Sequence, residues 1–583
     1  MEENKKEVEK EVKKEINNKE NKLNKDKVLE NIQNISLKIS DIARILIIIA
    51  TLFLIILIAV KAFYKTGYFP ATYDNALEKT DYKYDNILEN IAYISLVLTI
   101  VYVFQRILEK IKLKYVIPII LILILTLFIW FVLTLDLVPI ADQGQIMILG
   151  EAISNHIVNL HVNPGNYLEM FPYQFGFAYY VGCVISIVNG IQNIFNLEYF
   201  NYLQVLNSIY SIICMVFMYL IGNRLLKEDN KSKNVLLVLI MLFGAYFMFL
   251  NTHVYAIIPG LMFALLAFLC TIRFIQDRKW YNLVITAISM FIAIYLKTNY
   301  QIFLIAIIGI LGLEFLKKIE IKNVLSIILV MVIYVTGSSI GDYIFKENIQ
   351  RDIPLGVPMM TYMYMGWAPS NTLSSGWYTG DVINIYTDNK FDHIETAEKT
   401  KELIYTRYNY FINNFEELFR YAWDKFDSTW LNPTFQTIWC ATPGLDRIYT
   451  NEEYKNYIEE ENSWLKDVLS YNSDVFHVEE RLFDSYEIII FACASIGIIN
   501  MLKEKDKENE KLLLIVTFLG GVVFHFVLWE TKAVYVLGYY YLLLPYAAKG
   551  LTILFEKLEI LFKNIFNKIK NKSNTEKETR KVN

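Results

Sequence analysis

The sequence predicts an all-α polytopic membrane protein, and three observations predict it. Of 583 residues, 55% are hydrophobic and 15% aromatic. The mean hydropathy is +0.32. Apolar runs near the length that crosses a hydrocarbon core recur from about residue 42 to residue 555. A soluble fold has no use for that repetition. The formal net charge of −4, with basic residues scattered through short loops, excludes nucleic acid as a partner and makes the lipid bilayer one. Of the five cysteines, four lie in apolar segments and none forms a CxxC pair, so no disulfide framework is read.

Residues 1–40 interleave ten Lys with nine Asp or Glu and carry too few apolar residues to bury, so a charged cytoplasmic tail is expected and no cleavable signal peptide. Thirteen candidate membrane segments follow, at 42–62, 88–108, 115–135, 171–190, 200–222, 234–251, 254–272, 281–297, 300–316, 321–343, 485–502, 511–529 and 533–555. The tail 556–583 has eight Lys or Arg against four acids and reads as an amphipathic helix on an anionic leaflet.

Lys and Arg in the short loops 106–114, 224–233, 273–279, 317–322 and 503–511 place these loops in the cytoplasm. The segments around residue 142, 344–484 and 529–535 then face out. Passing from an outward residue 142 to an inward residue 228 requires an odd number of crossings, yet two segments lie between. The segment 171–190, entered through the polar-aromatic "FPYQFGFAYY", is the one expected not to cross, leaving twelve crossings with both ends inside.

Two outward regions stand out. The stretch "LTLDLVPIADQGQIMILGEAI" (133–153) ends an apolar run and places Asp136 and Asp142 around Pro139. An acid inside hydrocarbon costs about 2.5–3.5 kcal/mol, so a carboxylate at the end of a span is either water-facing or used. Asp136 closes the run. Asp142 opens an amphipathic pattern through Ile146, Leu149, Ile153, Ile157 and Leu160, which predicts an interfacial helix lasting until "NPGN" (163–166), with Asp142 as its N-cap or as a carboxylate held at the membrane face. The second region, 344–484, is long enough for a folded cap.

Several motifs, in this order, resemble the GT-C glycosyltransferases, and within them the polyprenyl-phosphate-sugar branch (glycosyltransferase family 39) that holds protein O-mannosyltransferases and the aminoarabinose transferase. They are "ADQGQIMILGEAI" around Asp142, "EMFPYQFGFAYY" (169–180), "YLKTNYQIFLIA" (295–306) and "WETKAVYVLGYYYLLLPYAAKGL" (529–551). The pieces "PMMTYMYMGW" (358–367), "SGWYTGD" (375–381) and "KFDSTWLNPTFQTIW" (425–439) resemble Gram-positive members. The similarity spans about residues 115–555. It implies a GT-C bundle of about 12–13 membrane helices, with two additional N-terminal helices (41–110), a core module (111–343) with first outer loop 136–170, an outer loop domain (344–484), C-terminal helices (485–555) and a basic cytoplasmic tail (556–583).

The resemblance implies inverting transfer of a sugar from polyprenyl phosphate to an envelope polymer, glycolipid or protein at the outer face of the cell membrane. The family's catalytic acid carries over to Asp142. Many members have a second acid next to it; Gln143 stands there, and Glu169 or Asp136 is the nearest replacement. The chemistry agrees: a carboxylate can take the acceptor's proton, while a phosphate leaving group needs cations rather than a general acid.

Lys297, between two apolar segments on the outer side, either snorkels or meets phosphate. Lys532, with Glu530 and Tyr535 beside it, stands where relatives carry Arg followed by Tyr; a loop ion pair is the plainer reading. Tyr173, Gln174 and His253 are candidate substrate contacts. Arg351 is read as a surface charge. The aromatics Tyr173, Tyr362, Tyr364, Trp367, Trp377 and Tyr378 fit an interface belt or a sugar platform. His156 and His161, five apart, are off the spacing that stacks ligands on a helix. No cofactor is evident; a divalent cation shared by carboxylate and phosphate is compatible with such a site, without a visible ligand set. The competing readings are a transporter or lipid flippase, which predicts repeats and midplane charges, and a lipid-linked glycan polymerase or ligase relying on outer basic residues.

Overall fold

The computed structural model describes residues 2–582 apart from 76, 371–373, 444–450 and 505–506, with side chains from residue 30 to residue 568. The tail expectations for 1–29 and 569–583 therefore lie outside the described side chains. Twelve helices lead up to residue 349. The first four are α1 Glu2–Tyr64, α2 Ile87–Leu108, α3 Leu113–Leu135 and α4 Ala141–Ser154. Next come α5 Tyr167–Met170, α6 Phe175–Gly190, α7 Tyr199–Leu226 and α8 Asn230–Leu250. Then follow α9 Ile257–Asp277, α10 Tyr281–Leu296, α11 Gln301–Lys317 and α12 Ile321–Ile349. Helices of 4 to 21 residues fill the region up to Leu469, and the chain returns through Asp474–Lys503, Leu513–Val523, Ala533–Tyr541 and Leu544–Val582.

Ten helices among the described residues are long and apolar enough to cross a membrane, which makes this a multi-pass membrane protein. Two further stretches of the bundle are shorter: α10, of 16 residues, and the chain from Ala533 onward, which is broken between Tyr541 and Leu544. The expected 485–502 span is the inner part of a 30-residue helix that begins outside the bundle at Asp474.

The helix α6 does not cross. At its start a Cβ on Gly176 would lie 1.8 Å from the carbonyl oxygen of Tyr295, at the end of α10. At its finish Asn189 accepts a hydrogen bond of 2.7 Å from the Tyr199 hydroxyl, where α7 begins. There Asn201 donates 3.0 Å to Asp136, the C-cap of α3. Both ends of α6 thus meet helix ends from one side. It lies parallel to α4, and the two approach through Gly150 and Gly182, where a side chain would strike Val181 or Ile153.

The basic loops gather at the other end. Arg106 pairs with Glu559, Arg224 with Asp277 at 3.3 Å, Lys231 with Glu556 at 2.9 Å and Arg278 with Glu314 at 2.6 Å. Lys317 donates 2.9 Å to the carbonyl of Lys507. These contacts connect all five loops; exposed pairs of this kind stabilise little but fix which helix ends share a side.

Over the α4 end sits the cap, which draws on both halves of the chain. The hairpin of β1 (Lys65–Tyr68) and β2 (Asp81–Tyr84) pairs antiparallel, with Lys65 opposite Tyr84. It docks on the helix Phe415–Trp430: Gly67 N–H donates 2.7 Å to Leu431, and Lys65 meets Asp427 at 2.8 Å. The first two membrane helices are therefore built into the bundle and the cap, with Ile48, Ile55 and Ile58 in the main core.

Candidate active site

The α3–α4 connection makes two sharp turns, with Asp136 at φ 44° and Ala141 at φ 48°, a conformation non-glycine residues adopt where surrounding structure demands it. The helix α4 begins with Ile140 as N-cap, so Asp142 is not the cap; it sits in the first helical turn, where the helix dipole favours a negative charge. The helix stops at Ser154, short of "NPGN", because His156 turns to φ 59° and a 3₁₀ turn Val158–His161 follows.

Asp142 opens into a cavity of about 170 Å³ whose polar wall includes Glu78, His253, Gln436, Lys532 and Tyr535. Of the residues expected from sequence, the structure brings together Asp142, His253, Lys532 and Tyr535 at this wall, with Lys297, Glu530 and Gln174 behind it. The Lys297 ammonium lies over the Tyr255 ring at 4.5 Å and over the Tyr535 ring at 5.2 Å. Gln174 donates 2.5 Å to the Tyr255 hydroxyl. Tyr535 donates 3.4 Å to Glu530, which is buried and whose second carboxylate oxygen has no partner. Gln143 accepts 2.7 Å from the backbone N–H of Val254 and thereby fixes the turn that carries His253.

Other candidates stand apart. Glu169 accepts from Tyr386 at 2.6 Å, and Asp136 is held by Asn201, so neither supplies the cavity with a second acid. Tyr173 shares a 2.9 Å hydrogen bond with Tyr362, which stacks on Trp529. Trp367 stacks on Tyr421, and Trp377 donates to Ser428. Arg351 donates to the carbonyls of Asn159 and Val162, a structural tie. Among the described residues no group of three or more His, Cys, Asp or Glu is placed to hold a metal, His156 and His161 included.

Two lining residues escape the sequence reading. Glu78, from the connection between β1 and β2, accepts both the Lys532 ammonium at 2.6 Å and the Gln436 amide at 2.7 Å. Gln436, 1% exposed, follows Phe435 with both at positive φ, and its amide oxygen has no partner among the described residues. "NPTFQTIW" was a recognisable piece, but nothing in it marks which residue faces a cavity.

The electrostatics follow from enclosure. Burial pushes the Asp142 carboxyl above the ordinary aspartate range, against the pull of Lys532 and Lys297. Burial carries Glu530 up to about 7, opposed by the same lysines. It brings Lys297 down to about 8, against Glu530 and Asp142. The Lys532 ammonium is also penalised by burial, but Glu78 more than offsets that and its pKa rises. Burial, with Lys297 and Lys532 nearby, lowers His253 to about 3, so its imidazole is neutral, with Nδ1 unpartnered. The cavity thus offers a carboxylate that is a stronger base than usual, cations close by, and unfilled hydrogen-bonding groups.

Beyond Tyr173 a second cavity of about 290 Å³, lined by Phe291, Tyr295, Tyr334, Gly341 and Phe345 among others, runs between α6, α10 and α12.

No protein-family description matches the chain, and no curated protein sequence matches it. Among solved structures it is similar to the archaeal oligosaccharyltransferase AglB from Archaeoglobus fulgidus, in complex with an inhibitory peptide and a dolichol-phosphate. The TM-score is 0.38 and the identity 12%, over 77% of this chain and 51% of that one, so the chain spans about half the length of that neighbour.

Proposed function

We propose that the protein is a GT-C membrane glycosyltransferase that moves a sugar from a polyprenyl-phosphate donor to an envelope acceptor at the extracytoplasmic face. The observation that carries this reading is Asp142, a carboxylate of raised basicity facing a cavity with Lys532 in its wall, at the bundle end opposite the basic loops. Applied to those loops, the positive-inside rule turns the cavity outward.

In this reading Asp142 takes the acceptor hydroxyl's proton as the oxygen forms its bond to the anomeric carbon. The bond from that carbon to the phosphate oxygen breaks, and the phosphate departs with the electron pair. Lys532 and, through the Tyr255 and Tyr535 rings, Lys297 stabilise the charge on it. His253 and the Gln436 amide oxygen are placed to hold sugar hydroxyls, and the groove between α10 and α12 to take isoprenoid chain. The motif resemblance points to the same chemistry.

The test supplies isotope-labelled polyprenyl-phosphate sugars to membranes containing the protein and measures label transferred and polyprenyl phosphate released. Transfer from at least one donor, absent from membranes lacking the protein, is expected. Consumption of none across a broad panel of sugars would contradict the reading.

A further inference from the structure

Glu78 reaches the cavity from the cap hairpin rather than from the segments that carry the other lining charges. Lys532 is 18% and Glu78 27% exposed. Among the described residues Glu78 is the one carboxylate that forms a salt bridge with Lys532, while Asp142 and Lys297 form none. The cation best placed at the wall to meet an anionic ligand is therefore already neutralised by the protein's own carboxylate.

A phosphate oxygen approaching Lys532 with Glu78 in place meets two carboxylates, Glu78 and Asp142, in a partly desolvated cleft where like charges repel more strongly than in bulk water. Withdrawing Glu78 needs no backbone movement. The Thr80 N–H, two residues on, is anchored to the Ser374 hydroxyl at 3.2 Å, and the partly exposed Glu78 side chain has rotatable bonds enough to swing toward water. Its departure frees both donors it now occupies, the Lys532 ammonium and the Gln436 amide, for the arriving oxygens.

We propose that Glu78 is a built-in competing anion, a specificity-determining residue that holds Lys532 until a phosphate-bearing lipid displaces it. The proposal rests on reading the cavity as a phosphate site, but not on sugar transfer. Groups that bring a weaker negative charge than phosphate fail to displace Glu78 and are refused.

Calorimetric titration of the full-length protein in nanodiscs, with inorganic phosphate and separately with a short-chain isoprenyl phosphate, tests it. Wild type is compared with Glu78→Gln, Glu78→Ser and Lys532→Gln. Removing the competing charge should tighten isoprenyl phosphate binding about tenfold, roughly 1.4 kcal/mol. The Lys532→Gln change should abolish that gain when combined with Glu78→Gln. Tightening for isoprenyl phosphate alone assigns the site to a lipid headgroup; tightening for both ligands assigns it to phosphate itself, and either supports the proposal. Unchanged or weaker binding of both in folded Glu78 variants overturns it. Failure of sugar transfer with these shifts intact would instead remove the glycosyltransferase reading and leave this one standing.

Discussion

The chain carries two clusters of charge, one around the buried Arg481 and one around Asp142, and they differ in the space beside them. Around Arg481, 2% exposed, the guanidinium donates to Asp85 at 2.7 Å, Asn90 at 3.1 Å and Thr66 at 3.2 Å, while Lys83 pairs with Glu480; Nε of Arg481 and Oδ2 of Asp484 find no hydrogen-bond partner among the described residues, but the cavity beside Glu480 measures only about 10 Å³. Around Asp142 the groups without a partner among the described residues, Nδ1 of His253, Oε1 of Gln436 and Oε2 of Glu530, lie at or behind a cavity of about 170 Å³, and Asp142 forms no salt bridge among the described residues. The first arrangement locks the cap hairpin to the helix Asp474–Lys503. The second leaves capacity for something that is not protein. Unpartnered polar atoms occur in both clusters, so what marks the candidate site is the room beside them.

This contrast can be broken at either cluster. Arg481→Met leaves Asp85 uncompensated and should cost about 3–5 kcal/mol of stability, read as a lowered unfolding temperature, with transfer per folded molecule unchanged; lost activity in a stable protein would put Arg481 in the reaction. Gly176→Ala drives a Cβ into the rigid carbonyl of Tyr295 and should cost about 1–3 kcal/mol, with a weaker response at Gly309, which has open space around it. Lys297→Met should weaken isoprenyl phosphate binding roughly tenfold, about 1.4 kcal/mol, and leave acceptor affinity unaltered; equal losses in both would make Lys297 structural.

The smallest effect is a pH profile. Asp142 must be ionised to accept a proton, so the rate rises with pH through its elevated pKa. Lys297 acts as a cation and loses its proton above about 8, so the rate falls beyond that point. Lys297→Arg should remove the alkaline fall. A flat alkaline limb in wild type would exclude Lys297 as a working cation.

Much of this was legible in the sequence for identifiable reasons. Hydrocarbon length marks the spans, and the parity of basic loops singles out 171–190, the segment that turns back as α6. An acid just past a proline at the end of a span, opening an amphipathic pattern, is conspicuous, which is why Asp142 stands out. Lys532 and His253 are visible because each is a polar group in a short turn between two apolar segments. Glu78 is invisible because it sits in a polar connection where an acid costs nothing, and only the docking of the hairpin on Phe415–Trp430 brings it to Lys532. The cap role for Asp142 failed because the chain enters α4 through a left-handed residue, a choice set by packing rather than by local propensity.

In the proposed transfer the Asp142 carboxylate takes a proton from the acceptor. The most direct measurement is the single-turnover rate at which labelled sugar leaves polyprenyl phosphate, at saturating donor, in wild type and in Asp142→Asn of equal thermal stability. A fall of about 10²–10⁴-fold, the range a positioned base contributes, is expected with donor binding retained. An Asp142→Asn protein that transfers sugar at the wild-type rate would contradict it.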